Sequence, residues 1–270
     1  MSACLNYLLR QKQNSFIEPE TVTEDLTLSF VSLLLAVGLA AVHIFTSRLR
    51  FLDTIPRSRW LSIAGGASVA YVFIHIFPEL SSGQKVVEQA NNPVVNFLEH
   101  HVYLLALFSF ALFYGLEKIA KLSRQENQQK GRGNSTSREV FWLHIFSFTI
   151  YNILIGYLLL HREERGLFSL CLFFLAMALH FAVNDHGLRE HHKSIYKHIG
   201  RWILAAAVLL GWVMGKATKI PEAAVAVLFA FLAGGIILNV LKEELPEERE
   251  SRFWAFALGA AAYTAILLAE

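Results

Sequence analysis

The chain has 270 residues, of which 54% are hydrophobic and only 17% charged, and its mean hydropathy is +0.42. Soluble domains carry about 25% charged residues, so a disordered chain, a coiled coil, a disulfide scaffold and an ordinary soluble domain are excluded. A formal net charge of +2 gives no footing for a nucleic-acid partner, and the two cysteines, Cys4 and Cys171, indicate neither a disulfide framework nor a cysteine metal site.

The first 26 residues are polar and include Glu18, Glu20, Glu24 and Asp25. They lack the basic-then-apolar order of a signal peptide. Beyond them the apolar residues cluster into runs near the ~20 residues that cross a bilayer. Eight spans are expected, over 27–47, 60–79, 98–117, 140–161, 167–187, 200–217, 222–242 and 253–269. Together they form a single all-α integral membrane domain over residues 27–269.

Of the 24 Lys and Arg residues, 17 fall in the first, third, fifth and seventh connections or at the span ends beside them. Basic residues are retained on the cytoplasmic side, so both termini are expected to be extracytoplasmic, across a plasma (inner) membrane. The longest interior loop is expected at about 122–138, polar and without histidine.

Spans two and seven echo one another. Ala64-Gly65-Gly66 leads to Pro78-Glu79, and Ala233-Gly234-Gly235 leads to Pro246-Glu247, with gaps that differ by one residue. By the charge count the two spans run in opposite directions, as spans 1–3 and 6–8 would in an inverted repeat, a common transporter plan. Chance recurrence of Ala and Gly is the plainer account. In either case the glycines let helix backbones approach closely.

Ionisable side chains within spans are costly and normally face the bundle interior. Span five is the richest, reading HFAVNDHG from His180 to Gly187. His180 and Asn184 share a face; Asp185 and His186 turn to neighbouring ones. Imidazole and carboxylate donors suit a zinc-like ion, and a hydrated helix end is the alternative for Asp185 and His186. Asn152 in span four is deep, and an interhelical hydrogen bond would account for it. His43 and His144 are expected at the interface. His75 and Glu79 end span two, beside a Pro78 that should kink or stop the helix, as a vestibule site or a solvated terminus. Glu243, Glu244 and the acids after them read as a solvated loop. The loop from His186 to His198 holds four histidines and distantly suggests the boxes of membrane di-iron enzymes. Their only companion, Glu99-His100-His101, falls on the other side. No Ser-His-Asp spacing or nucleotide loop occurs, so no enzyme activity is expected.

These residues resemble the Zrt/Irt-like (ZIP) divalent-metal transporters. HIFPEL in span two, AGGIILNVLKEELPEE in span seven, YNILIG at Tyr151–Gly156 and HFAVNDHG each resemble a family motif. The resemblance implies an eight-helix ZIP bundle, transport of zinc or a similar divalent cation as substrate, no prosthetic group, a lipid-embedded site and a homodimer. It departs where the metal ligands stand: Tyr151 and Ile155 replace the family's His and acid, Phe181 stands at an acidic position, Val183 at Pro and Asn184 at the key His or Glu. What it leaves is a reduced metal site of Asn152, His180, Asn184 and Asp185, with His186, His75 and Glu79 along the pathway. A transport-inactive relative with a structural or regulatory role is the first alternative, and a membrane-embedded metal-dependent enzyme the second.

Overall fold

The computed structural model describes residues 19–46, 59–89, 102–162, 166–244 and 252–268. Among them every regular element is a helix: α1 (Pro19–Phe45), α2 (Arg59–Tyr71), α3 (Phe77–Gln89), α4 (Val102–Gln129), α5 (Arg138–Leu158), α6 (Leu167–Ile195), α7 (Arg201–Ala217), α8 (Glu222–Glu244) and α9 (Phe253–Leu267). A π turn at Val72–Ile76 joins α2 to α3, and another at Tyr196–Gly200 joins α6 to α7. Seven continuous helical stretches result, and six helices are long and apolar enough to cross a membrane. Their outward faces are apolar: Leu34 and Val37, Leu104 and Phe108, Phe146 and Ile150, Leu210 and Val213 are all exposed. That much exposed apolar surface is incompatible with water and suits lipid.

Eight separate helices were expected, and the difference lies between spans five and six. The sequence LREHHKSIYKHI contains neither Pro nor Gly, so nothing forces the helix to stop, and the expected histidine loop is helical instead. The stretch Leu167–Ala217 has 51 residues, roughly 75 Å of helix, against a bilayer core of about 30 Å. One residue breaks it, Lys193, with φ 50° and ψ −119°. Beyond the break α7 packs on α5 and α1, whereas α6 packs on α1, α2 and α8.

Three further boundaries differ. Residues 19–26 are helical, with Pro19 at the first helical position, where its missing N–H costs nothing. Span two does not stop at Pro78. The π turn shifts the hydrogen-bond register just before the proline, with Phe77 N–H donating to Val72 O, and the helix continues to Gln89. The expected loop 122–138 is helical to Gln129, because LSRQENQQ offers no breaker. Gly131, at φ +67°, then closes α4 with two bonds, Arg132 N–H to Asn127 O and Gly131 N–H to Gln128 O, the Schellman arrangement. Ser137 caps α5 by accepting from Val140 N–H.

The bundle is held by glycines that let one helix backbone touch the next. A Cβ at Gly66 would strike Phe256 O and Ala260 N of α9, and one at Gly259 would strike Ile63 O of α2. Gly156 of α5 and Gly211 of α7 interlock likewise, against Val208 O and Ile153 O, and Gly234 of α8 sits on Ala106 O and Phe110 N of α4. Lipid gives no hydrophobic push between helices, so such close packing is the main attraction. Gly211→Ala should therefore lower stability by about 1–3 kcal/mol through overpacking, read as a fall in the thermal transition in detergent. Gly115→Ala, which meets open space, should leave it unchanged or raise it.

Candidate functional site

The polar residues of the interior collect at the meeting of α1, α5 and α6. Sequence reading placed His43 at the interface, yet the structure leaves it only 1% exposed. Its Nδ1 lies 2.8 Å from Asp185 Oδ1 and its Nε2 2.7 Å from Asn152 Oδ1. Asn152 Nδ2 donates to Phe148 O at 2.7 Å, which fixes Asn152 Oδ1 as an acceptor, so His43 Nε2 donates. Asp185 Oδ1 also accepts from Tyr196 O–H at 2.5 Å. One proton therefore occupies the contact between His43 and Asp185. Phe181 covers the imidazole, with ring centroids 4.2 Å apart.

Two of the four expected ligands, Asn152 and Asp185, are thus brought together by a residue that the sequence did not single out. The other two are not joined to them by any hydrogen bond described. His180 lies one helical turn further along α6, with its Nδ1 3.3 Å from Asn239 Nδ2. Because the amide donates there, His180 Nε2 carries the hydrogen. Asn184 is buried. His180 Nε2, Asn184 Nδ2 and Asp185 Oδ2 are all buried without a hydrogen-bond partner among the described residues. Beside His180 a small cavity is lined by Ser68, Tyr71, Ile236 and Asn239, with about 20 Å³ of free space, the room of one water-sized ligand.

The remaining expected residues lie elsewhere. His186 accepts from Arg189 Nη2 at 3.1 Å. His75 and Glu79 form an i,i+4 pair at 3.3 Å, with Tyr71 stacked on the imidazole. His144, also expected at the interface, is buried and donates to Leu116 O at 2.6 Å. Of the loop histidines, His192 bonds His144 at 3.2 Å and His191 bonds Glu117 at 2.9 Å, so these two tie helices together rather than gather in a box. Glu99-His100-His101 lies outside the described residues.

The two substitutions at ligand positions are filled by packing. Tyr151 O–H donates to Leu232 O at 3.0 Å, and its ring lies against Gly235. Ile155 and Phe181 are fully buried. Among the described residues no group of three or more His, Cys, Asp or Glu side chains is placed to hold a metal ion. Below Asp185 a cleft is ringed by Arg189, Lys197 and Arg201.

No protein-family model matches the chain, and neither the curated proteins nor the solved structures contain a match for it.

The strength of the central pair is measurable. Neutral hydrogen bonds between membrane helices couple by about 0.6 kcal/mol and at most about 1.7, whereas breaking a buried ion pair costs about 3–5. A double-mutant cycle of His43→Ala with Asp185→Asn, read by unfolding in detergent, should give a coupling above about 2 kcal/mol. A smaller value would identify a neutral pair.

Proposed function

We propose that the protein is a ZIP-type membrane transporter that moves a divalent, zinc-like cation along the interior face of α6. The observation that carries this reading is the row of unpartnered atoms at His180, Asn184 and Asp185. Buried polar atoms without partners are costly and rare, and three within two turns of one membrane helix suit a polar ligand that comes and goes; Asp185 Oδ2 offers a lone pair as it stands, and His180 and Asn184 offer theirs when the imidazole moves its hydrogen to Nδ1 and the amide turns its oxygen inward. Beside them His43 and Asp185 supply an imidazole and a carboxylate, ligand types that zinc accepts, with Asn152 and Tyr196 hydrogen-bonded to these two.

The helix packing supports an inverted repeat of spans 1–3 and 6–8. Exchanging span one with six, two with seven, three with eight and four with five turns the α2–α9 contact into α8–α4, α5–α7 into α6–α1, and α5–α8 into α6–α2, and all of these contacts are present. The glycines align too. Gly66 meets the carbonyl of Phe256 and the nitrogen of Ala260, as Gly234 meets those of Ala106 and Phe110. Pairing Gly66 with Gly234 sets an offset of 168 residues. That offset brings Pro78-Glu79 onto Pro246-Glu247 without the one-residue mismatch. It also pairs Ser68 with Ile236 and Tyr71 with Asn239, and all four line the cavity beside His180.

A second reading, the transport-inactive relative, is favoured by a different observation. The absence of a three-ligand group among the described residues, and the three cations ringing the cleft below Asp185, both oppose a divalent ion. Flux of zinc, iron, manganese and cobalt into proteoliposomes separates the two. A transporter should move at least one ion and lose that flux in Asp185→Asn and in His180→Ala with Asn184→Ala. No flux from a folded, inserted protein would decide for the inactive relative. In that event Tyr151→His with Ile155→Asp should create flux if the ZIP-type assignment holds, and a folded double variant without it would count against that assignment.

A further inference from the structure

The bend at the end of α6 is strained. Lys193 stands at φ 50° and ψ −119°, a conformation that suits glycine and is costly for a residue with a β-carbon. The segment around it contains no helix breaker, so the bend is imposed from outside. Such a conformation persists only where neighbouring contacts over-determine it. Here they come from Thr136, in the short connection between α4 and α5. Its N–H donates to His191 O at 3.0 Å, two residues before the bend, and its hydroxyl lies 2.5 Å from His192 Nδ1. Three residues past the bend, Tyr196 reaches back to Asp185.

His192 carries the contact inward, its Nε2 lying 3.2 Å from His144 Nδ1. With both rings neutral the direction of every hydrogen is set. Leu116 O can only accept, so His144 donates from Nε2 and offers the lone pair of Nδ1. His192 Nε2 then donates to it, and His192 Nδ1 accepts from the Thr136 hydroxyl. An added proton makes one of the two rings an imidazolium, and on either ring it obliges Thr136 to accept where it donated. The charge then sits on a ring only 1% exposed, with Phe141 edge-on to His192. A buried charge without water is costly, and opening the bend hydrates it. The charged groups around the pair are engaged with one another. Glu117 of α4 lies 2.9 Å from His191 Nε2 and 3.1 Å from Lys242 Nζ of α8. Arg124 of α4 meets Glu190 of α6 at 3.0 Å. Lys193 itself, and Arg138 and Glu139 at the start of α5, are exposed.

We propose that Thr136, His192 and His144 form a pH-sensitive latch on the Lys193 bend, closed while both rings are neutral and released when the pair takes up a proton. The device is independent of transport: it stands whether or not the protein carries a metal.

The test is hydrogen–deuterium exchange of the full chain in nanodiscs, read by mass spectrometry over residues 132–138 and 190–198 and corrected for the pH dependence of intrinsic exchange. One proton taken up on opening, at the ordinary histidine value of about 6.5, should raise exchange in both segments about tenfold between pH 7.5 and pH 5.5. His144→Gln with His192→Gln keeps amide donors and acceptors but no titratable ring, and should exchange alike at the two pH values. Thr136→Val keeps the backbone bond and loses the hydroxyl, so it should exchange faster than wild type already at pH 7.5. Thr136→Ser, which retains the hydroxyl, should behave as wild type. Exchange at the bend that does not respond to pH in the wild type would overturn the proposal. A rise that survives in the folded double-glutamine variant would assign the response to His191 and Glu117 and would overturn it equally. So would a Thr136→Val protein that exchanges no faster than wild type, a result that does not depend on how the double variant folds.

Discussion

Inside a bilayer a polar atom must find its partner within the protein, and the interior of this bundle is arranged around that constraint. His43 answers it for three helices at once. Its two ring nitrogens reach Asp185 of α6 and Asn152 of α5 from α1. Asp185 extends the tie to the π turn through Tyr196. The neighbouring helix pair α1–α7 is laced along its length by Trp212 to Ser32 and Arg201 to Ile44 O, so the central cluster cannot shift without moving α1 as a body. Where the constraint is not met among the described residues, three of the atoms, His180 Nε2, Asn184 Nδ2 and Asp185 Oδ2, lie close together on α6, while others, such as Ser109 Oγ on α4 and the Tyr157 hydroxyl on α5, stand singly. That local cluster is what makes α6 the functional candidate.

Polar ties set register, but they do not set the spacing of the helices; the glycines do. Two interlocked pairs, Gly66 with Gly259 and Gly156 with Gly211, place α2 on α9 and α5 on α7 with backbone against backbone. Close pairs of this kind behave as rigid units. Where α4 meets α5 the contact uses large side chains instead, Phe113 against Phe148 and Tyr151, whose rings meet tilted or edge to face. Tyr151 bears on that contact directly, because its hydroxyl is anchored to Leu232 O of α8 and its ring rests on Gly235. An imidazole at that position could release a carbonyl to take a metal; a phenol leaves it tied.

The spans themselves were legible in the sequence because length and hydropathy are local properties. The ends were not, because they depend on what a polar stretch can do in place of a loop. LSRQENQQ and LREHHKSIYKHI are polar enough to leave the membrane and yet contain no helix breaker, so both stay helical. Pro78 is a breaker that failed to act, since a π turn one residue earlier absorbs its missing N–H. The site was legible in half. Asn152 and Asp185 stood out as costly residues in apolar runs, but His43 was discounted because Arg48 and Arg50 follow it within two turns. Only the packing of α1 on α6 and α7 shows that its side chain turns inward. One signal was present and could have been weighed: an ionisable residue preceded by sixteen residues free of charge, 27–42, is already deep enough to need a partner.

The charges around Asp185 decide which ions could use it. A divalent ion at the carboxylate gains one negative charge and faces three positive ones at the cleft mouth. Each like charge opposes the ion, so the three together offset part of what a single carboxylate supplies. The His43–Asp185 contact points the same way. An imidazole that shares a proton with the carboxylate fills the coordination position an ion would take, without drawing a second charge past the ring. The imidazole of His43 thus locks three helices at the centre of the bundle, and a metal that entered there would have to displace its contact with Asp185.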